Sequence, residues 1–537
     1  MRNYYFGLLI CLEVVILTAV NGYNSDIIIA PDNNEIYQLP ELVILHKSCK
    51  FNPEKEILVH LKKNLDSVLA NKNLPIWLVH SNSDLQNVSY DVMEDIGPFF
   101  MYHDLDSCSA AVYFYKRQQF DGTVDNRYII NRVPYDVETK KAKPSKYNMI
   151  KTHTLKHPET RLKGSLSSDS SELLVIQEEK AQKIEKQKWI NIQSNLEYPN
   201  NVYIETLVIV NYDLVNIFEK NYTSLVSNIL VTFNTVDLLY AKIDKPKIKI
   251  NIAGIMIGVE RESFSDLLKQ KCYDSSHLSD DEEQMEVKCI ASAVKSILFK
   301  YKKAFPLNSY DIAVFLTNYN LYSYSLNTDG NIETLPLDGV AFTPEHHEYS
   351  GYKMTLDDSR IVVATYFNDA YQSFPVIAHE MAHLFNVLHD QGELRNSMGE
   401  CNANIMRTDG TFCTKCLLFS DNSAKKLREF FGTREGCIFF NEPKSLYYPL
   451  QPQLSMNDEE QCKCYGFMSA RKFHQNWWDQ LKGTFKSNVY CRTRLHCVSS
   501  LVYGDPKFTV KTAVPMDGTP CDSNKVCWNK KCKEIAN

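Results

Sequence analysis

From about Tyr198 the chain alternates apolar runs of strand length with apolar positions at helical spacing. Residues 202–210, 248–258, 310–317 and 360–366 read as strands, 213–240 as one long helix and 289–305 as an amphipathic helix. Parallel strands need long crossovers and helices supply them, so this alternation predicts an α/β layer with a twisted, mainly parallel sheet. Residues 23–163 differ: short β-rich runs such as 41–46 and 110–115 stand between turn-like breaks, which predicts a separate β-rich unit. Between the two, residues 164–174 (GSLSSDSSELL) and the charged run 177–188 have the composition of an exposed linker. From about Cys437 the periodicity fades while cysteines, prolines and turn residues accumulate.

The first 22 residues carry Arg2, an apolar stretch interrupted only by Glu13, and small residues around a cut after Gly22, the layout of a secretory signal. A membrane anchor would need about 20 uninterrupted apolar residues, and no later segment is expected to cross a bilayer. Cysteine usage changes the picture further. Of 16 cysteines, 13 lie between Cys272 and Cys532, and the spacing of Cys521, Cys527 and Cys532 suits a small disulfide-stapled module in an oxidising compartment. Thirteen is odd, so one thiol is free, pairs with the first third, or pairs with another chain. The sequons at Asn87 and Asn221 are candidate glycosylation sites of a secreted, extracellular protein. A net charge of -6 over 537 residues gives no electrostatic reason for a nucleic-acid or anionic-membrane partner. The acidic run 279–284 (SDDEEQ) could hold a structural calcium ion, although a solvated loop is the commoner outcome for such a run.

The chemistry concentrates in residues 378–390, AHEMAHLFNVLHD. Val376, Ile377, Met381, Leu384 and Phe385 recur at helical spacing, which puts His379 and His383 one turn apart on a common face, able to bind one zinc ion. Glu380 sits beside them but off the ligand row, so it reads as a general base acting on water. His389 can be a third ligand only if the helix stops and the chain folds back. Asn386 stands where that must happen, and Asn is the non-glycine residue that best tolerates the left-handed conformation needed. At this histidine content the five-residue core of the motif arises by accident in roughly one chain in fifty, and the correctly spaced third histidine lowers that about forty-fold.

HExxHxxNxxHD resembles the zinc motif of the metzincins, specifically the reprolysin or adamalysin branch, whose usual Gly is Asn386 here. The resemblance implies a zinc metalloendopeptidase hydrolysing protein or peptide substrates, with His379, His383 and His389 on the metal, Glu380 catalytic, and a Met-turn matched by Met406 in CNANIMR (401–407). FSDNSAKKLREFF (419–431) is similar to a family helix that carries Cys where Asn422 stands. EEQCKCYG (459–466), CRTRLHC (491–497) and MDGTPCDSNKVCWNKKC (516–532) resemble the cysteine-rich region of ADAM proteases with thrombospondin motifs, to which Cys464 is an addition. SCSAAVYF (107–114) looks like a piece of a reprolysin propeptide; the family's cysteine switch is absent, leaving Cys49 or Cys108 to cap the zinc if anything does. The layout is most similar to parasitoid-wasp venom metalloproteinases, which implies a venom or saliva toxin acting on host proteins. The expected organisation is a signal (1–22), a propeptide (23–163), a linker (164–197), a protease domain (198–436) and a cysteine-rich module (437–537), acting as a monomer. In the protease domain, residues 335–343 are the candidate edge strand for substrate. The rival expectation is a catalytically silent, protease-like protein that binds a partner through its cysteine-rich module.

Overall fold

Valine and isoleucine dominate four runs too apolar to face water on either side, and each forms a strand of one sheet. The computed structural model describes residues 57–134 and 200–342 with short interruptions, then 360–366, 373–390, 404–406 and 418–432, together with isolated strands and turns towards both ends. The linker 164–197, residues 279–283 of the acidic run, Cys49, Cys464 and most of 437–537 lie outside the described residues.

The central sheet holds Ile76–Val79 (β1), Leu85–Asn87 (β2), Asn201–Val210 (β3), Lys247–Gly258 (β4), Ile312–Thr317 (β5), Gly339–Phe342 (β6) and Arg360–Thr365 (β7), in the order β6-β7-β5-β3-β4-β1-β2. Strands β7, β5, β3, β4 and β1 pair in parallel, while β6 and β2 are antiparallel at the two edges. The protein is therefore α/β around a mainly parallel sheet. Alternation along each strand splits the core into two layers. Val208, Val210, Val314, Leu316 and Val362 face helices Tyr222–Ala241 (α1) and Phe374–His383 (α3). Leu207, Ile209, Phe315 and Val363 face helix Val287–Lys300 (α2), which the Cys272–Cys289 disulfide ties to the preceding segment.

The single helix expected over 213–240 is instead two, Tyr212–Ile217 and α1. Glu219 and Lys220 take positive φ between them, and the Asn221 side chain caps α1 by accepting from the Ser224 amide at 2.9 Å. Contrary to the expectation that no later segment is apolar enough, α1 could by length and composition cross a membrane; 83% of its most apolar stretch is buried in protein.

The N-terminal third forms a second, wholly antiparallel sheet of eight strands running from Val14–Ala19 to Ile150–Lys151. Val14–Ala19, in the segment read as a signal, pairs there with Leu42–Ser48. Two strands of this third, β1 and β2, belong to the central sheet rather than to their neighbours. Leu69, Ile76, Leu78, Val112 and Phe114 consequently share one continuous core with β3, α1 and α3.

Candidate metal centre

Helix α3 begins with Pro375 in its first turn, where a missing amide costs nothing, and buries Phe374, Ile377, Ala378, Met381 and Ala382 against the sheet. That burial turns His379 and His383 away from the core on one side. After His383 the chain closes with Asn386 N–H donating to the His383 carbonyl at 3.1 Å and Val387 N–H to that of Ala382 at 3.3 Å. Asn386 takes φ +58°, the left-handed turn that the spacing to His389 requires. Behind the turn, Phe385 packs on Phe430, Phe431 and Phe439 with ring centroids 5.1 to 5.3 Å away.

The three histidines meet. His383 Nε2 lies 3.0 Å from both His379 Nε2 and His389 Nε2, and the last two are 3.2 Å apart. His379 Nδ1 donates to the Ile405 carbonyl at 2.6 Å and His383 Nδ1 to that of Val387 at 2.7 Å, so the Nε2 of each carries a lone pair directed at the others. Facing lone pairs repel unless a cation lies among them. Tetrahedral zinc with bonds of about 2.0–2.1 Å would separate its nitrogens by about 3.3 Å, close to the spacing found, so the donor set fits such an ion. Burial lowers the pKa of all three, His383 to about 3 and His389 to about 4, with charge on the neighbouring imidazoles adding to the effect in both. Neutral imidazoles are the form that ligates metal.

Glu380 is buried on the same turn, and desolvation, with the charge of Asp338 second, raises its carboxyl to about 8. Edge strand β6 runs directly beside it: a Cβ placed on Gly339 would stand 2.8 Å from Glu380 Cγ. Of the edge expected over 335–343, only Gly339–Phe342 is the terminal strand of the central sheet; residues 335–337 belong to strand Ile332–Leu337, which pairs with Asn320–Leu326 in a separate four-stranded sheet. Met406 is fully buried in a segment bound to the site on two sides, through Ile405 O to His379 and through Met406 O, which accepts from Asp390 N–H at 2.8 Å.

Asp390 closes the motif. Its Oδ1 accepts from Ser420 Oγ at 2.6 Å and Ser423 Oγ at 2.9 Å, and Ser420 in turn caps helix Asp421–Phe431 (α4). The cue was available in the sequence, since Ser420 and Ser423 have the spacing of a helix cap. Asn422 is exposed on that helix. Gly339 and Asp338 carry no signal in the sequence, because only the pairing of β6 with β7 brings them to Glu380. Cys108 is disulfide-bonded and fully buried, which removes it as a thiol to cap the metal. Asn87 and Asn221 are both exposed. Cys521 and Cys532 are joined to each other.

No protein-family model matches the chain. A Bombyx mori protein named "A disintegrin and metalloproteinase with thrombospondin motifs like" is 21% identical over 350 residues, 63% of this chain and 45% of that protein. Venom metalloproteinase 3 of Eulophus pennicornis is 32% identical over 79 residues, 15% of this chain and 19% of its own length. Venom metalloproteinase 2 of the same species is 23% identical over 236 residues, 44% and 49%. The chain thus spans less than half the length of each of these relatives. One solved structure, of a chaperone-substrate complex, is similar over 45% of this chain and 35% of the other at 11% identity and a TM-score of 0.25, too low a likeness to bear on the fold. By these matches the chain is distantly similar to insect proteins named as metalloproteinases, and its three clustered histidines are a group that could hold a metal ion.

Proposed function

We propose that this chain is a secreted zinc endopeptidase of the metzincin type. The observation that carries the reading is the convergence of three neutral imidazoles, with Nε2 atoms 3.0 to 3.2 Å apart, beside a buried carboxyl and a sheet edge. His379, His383 and His389 would hold one zinc ion, and Met406 would form the Met-turn beneath it. Zinc so held supplies Lewis acidity towards water and the scissile carbonyl. Glu380 takes the proton from the attacking water and passes it to the leaving amine, a role that suits a carboxyl whose burial keeps its basicity near neutral pH. The outer edge of β6 accepts the substrate as an added extended strand, which positions the peptide bond over Glu380. The names of the Eulophus relatives support a venom role.

The test compares wild type with Glu380→Gln for metal content and for cleavage of a broad peptide library, before and after a cut within 164–197. Both proteins should bind about one zinc per chain, and only the wild type should cleave. A wild type that holds zinc and cleaves nothing in either form would hand the function to the cysteine-rich module as a binding surface.

A further inference from the structure

The N-terminal third is built into the catalytic fold in a way that a disposable propeptide need not be. Every residue of α1 from Ile229 to Tyr240 is buried, which is more than three turns, so every face of the helix is covered. One face holds the metal site: Tyr240 Oη donates to the Ala378 carbonyl of α3 at 2.9 Å. A second lies on β4, where the Ile250 amide donates to Asp237 Oδ1 at 2.8 Å. The third is covered by N-terminal strands Ser109–Phe114 and Gln119–Val124.

The polar groups on that third face are matched across the contact rather than left for water. Asn234 Nδ2 donates to the Ala111 carbonyl at 3.1 Å, Asn234 Oδ1 lies 2.9 Å from His103 Nε2, and Thr235 and Thr123 hydroxyls pair at 3.4 Å. Asn234 and Thr235 are wholly buried. Main-chain bonds continue the contact along β4. Ile252, Ile255 and Val259 amides donate to the carbonyls of Leu69, Pro75 and Val79 at 2.7, 2.8 and 3.1 Å, and Asn251 Nδ2 donates to Val68 O at 2.6 Å. Without β1, strand β4 would present a twelve-residue, mostly apolar open edge, the kind of edge that recruits other chains.

We infer that residues 57–124 are a permanent subunit of the catalytic fold, bound to β4 by strand addition and to α1 by its buried polar face. A cut in 164–197 then yields a two-chain protein and not a released propeptide. The partner fitted by this surface is the chain's own N-terminal third.

The experiment uses full-length Glu380→Gln protein, so that self-cleavage plays no part, with a recognition sequence for an unrelated protease inserted within 164–197. After cutting, light scattering on a sizing column and amide hydrogen exchange are measured without denaturant. The expected result is co-migration of both pieces at the mass of the uncut chain, with Ile252, Ile255 and Val259 amides as protected as before the cut. Separation of the pieces without denaturant, whether the larger one is then soluble or aggregated, overturns the inference. So does fast exchange at those three amides while the rest of the central sheet stays protected. Neither readout depends on zinc or on peptidase activity, so the outcome is independent of the proposed function.

Discussion

Alanine at Gly339 would place a methyl group in the wall of the metal centre. Its Cβ would stand 2.8 Å from Glu380 Cγ, 2.8 Å from Val376 Cγ1 and 3.2 Å from the Val363 carbonyl oxygen. Carbon atoms settle at about 3.5–4.0 Å, so roughly 0.7 Å or more of movement is needed. Val363 is held in the middle of β7 and Val376 is fixed on α3, which leaves strand β6 and the Glu380 side chain to yield. Overpacking of this kind costs about 1–3 kcal/mol of stability, and displacement of a reacting group by about 1 Å costs on the order of 100-fold in rate. The atoms nearest the new methyl belong to Glu380, Val376 and Val363 and not to the histidines. Gly339→Ala should therefore keep its zinc, melt a few degrees lower and lose about 10- to 100-fold in kcat/KM. In a Glu380→Gln background the methyl should cause a smaller further loss, because the carboxylate it displaces is already inert and only the shift of β6 remains. Wild-type kcat/KM in Gly339→Ala, or an equal additional loss on top of Glu380→Gln, would refute the coupling of the edge strand to the carboxyl.

Asn386→Ala puts a Cβ-bearing residue without a local hydrogen-bonding side chain at φ +58°, at a cost of about 1–2 kcal/mol. The loss should appear as roughly tenfold weaker zinc retention against a chelator or as an equal fall in apo-protein stability, and Asn386→Gly should recover it; indistinguishable melts and zinc affinities for all three residues would show that the turn carries no strain. Asp213 tests a buried acid away from the metal: burial raises its pKa from 3.8 to about 6 against the opposing Thr317 hydroxyl and Asn318 amide hydrogen bonds. The folded state then holds a proton that the unfolded state has released between pH 4 and 6. Wild type should lose up to about 3 kcal/mol relative to Asp213→Asn as pH rises through that window and stay level above it. Parallel stability curves for the two proteins from pH 4 to 7 would place the ionisation elsewhere.

What could be read from the sequence was local, and what could not was a matter of partners. Helix α3 with His379 and His383 follows from spacing, and Asn386 could be assigned its turn because few residues adopt that conformation and the chain had to reverse before His389. Strands β3, β4, β5 and β7 announced themselves as apolar runs. Gly339, by contrast, is unremarkable until β6 pairs with β7, and Asp390 gains its part only when Ser420 arrives from 30 residues away. The same holds for β1: IWLV at 76–79 is a short apolar run that could join either sheet, and its choice of β4 is fixed by tertiary contact alone. One cue did lie in the sequence. Residues 222–241 are apolar around most of the helix, with Thr232, Asn234, Thr235 and Asp237 the buried polar exceptions on its later turns, and a single sheet with one neighbouring helix cannot cover every face. Such a helix requires a second layer with polar groups of its own: His103, Ala111 and Thr123 of the N-terminal third meet Asn234 and Thr235, while Asp237 accepts from the Ile250 amide of β4 and has His103 4.0 Å away.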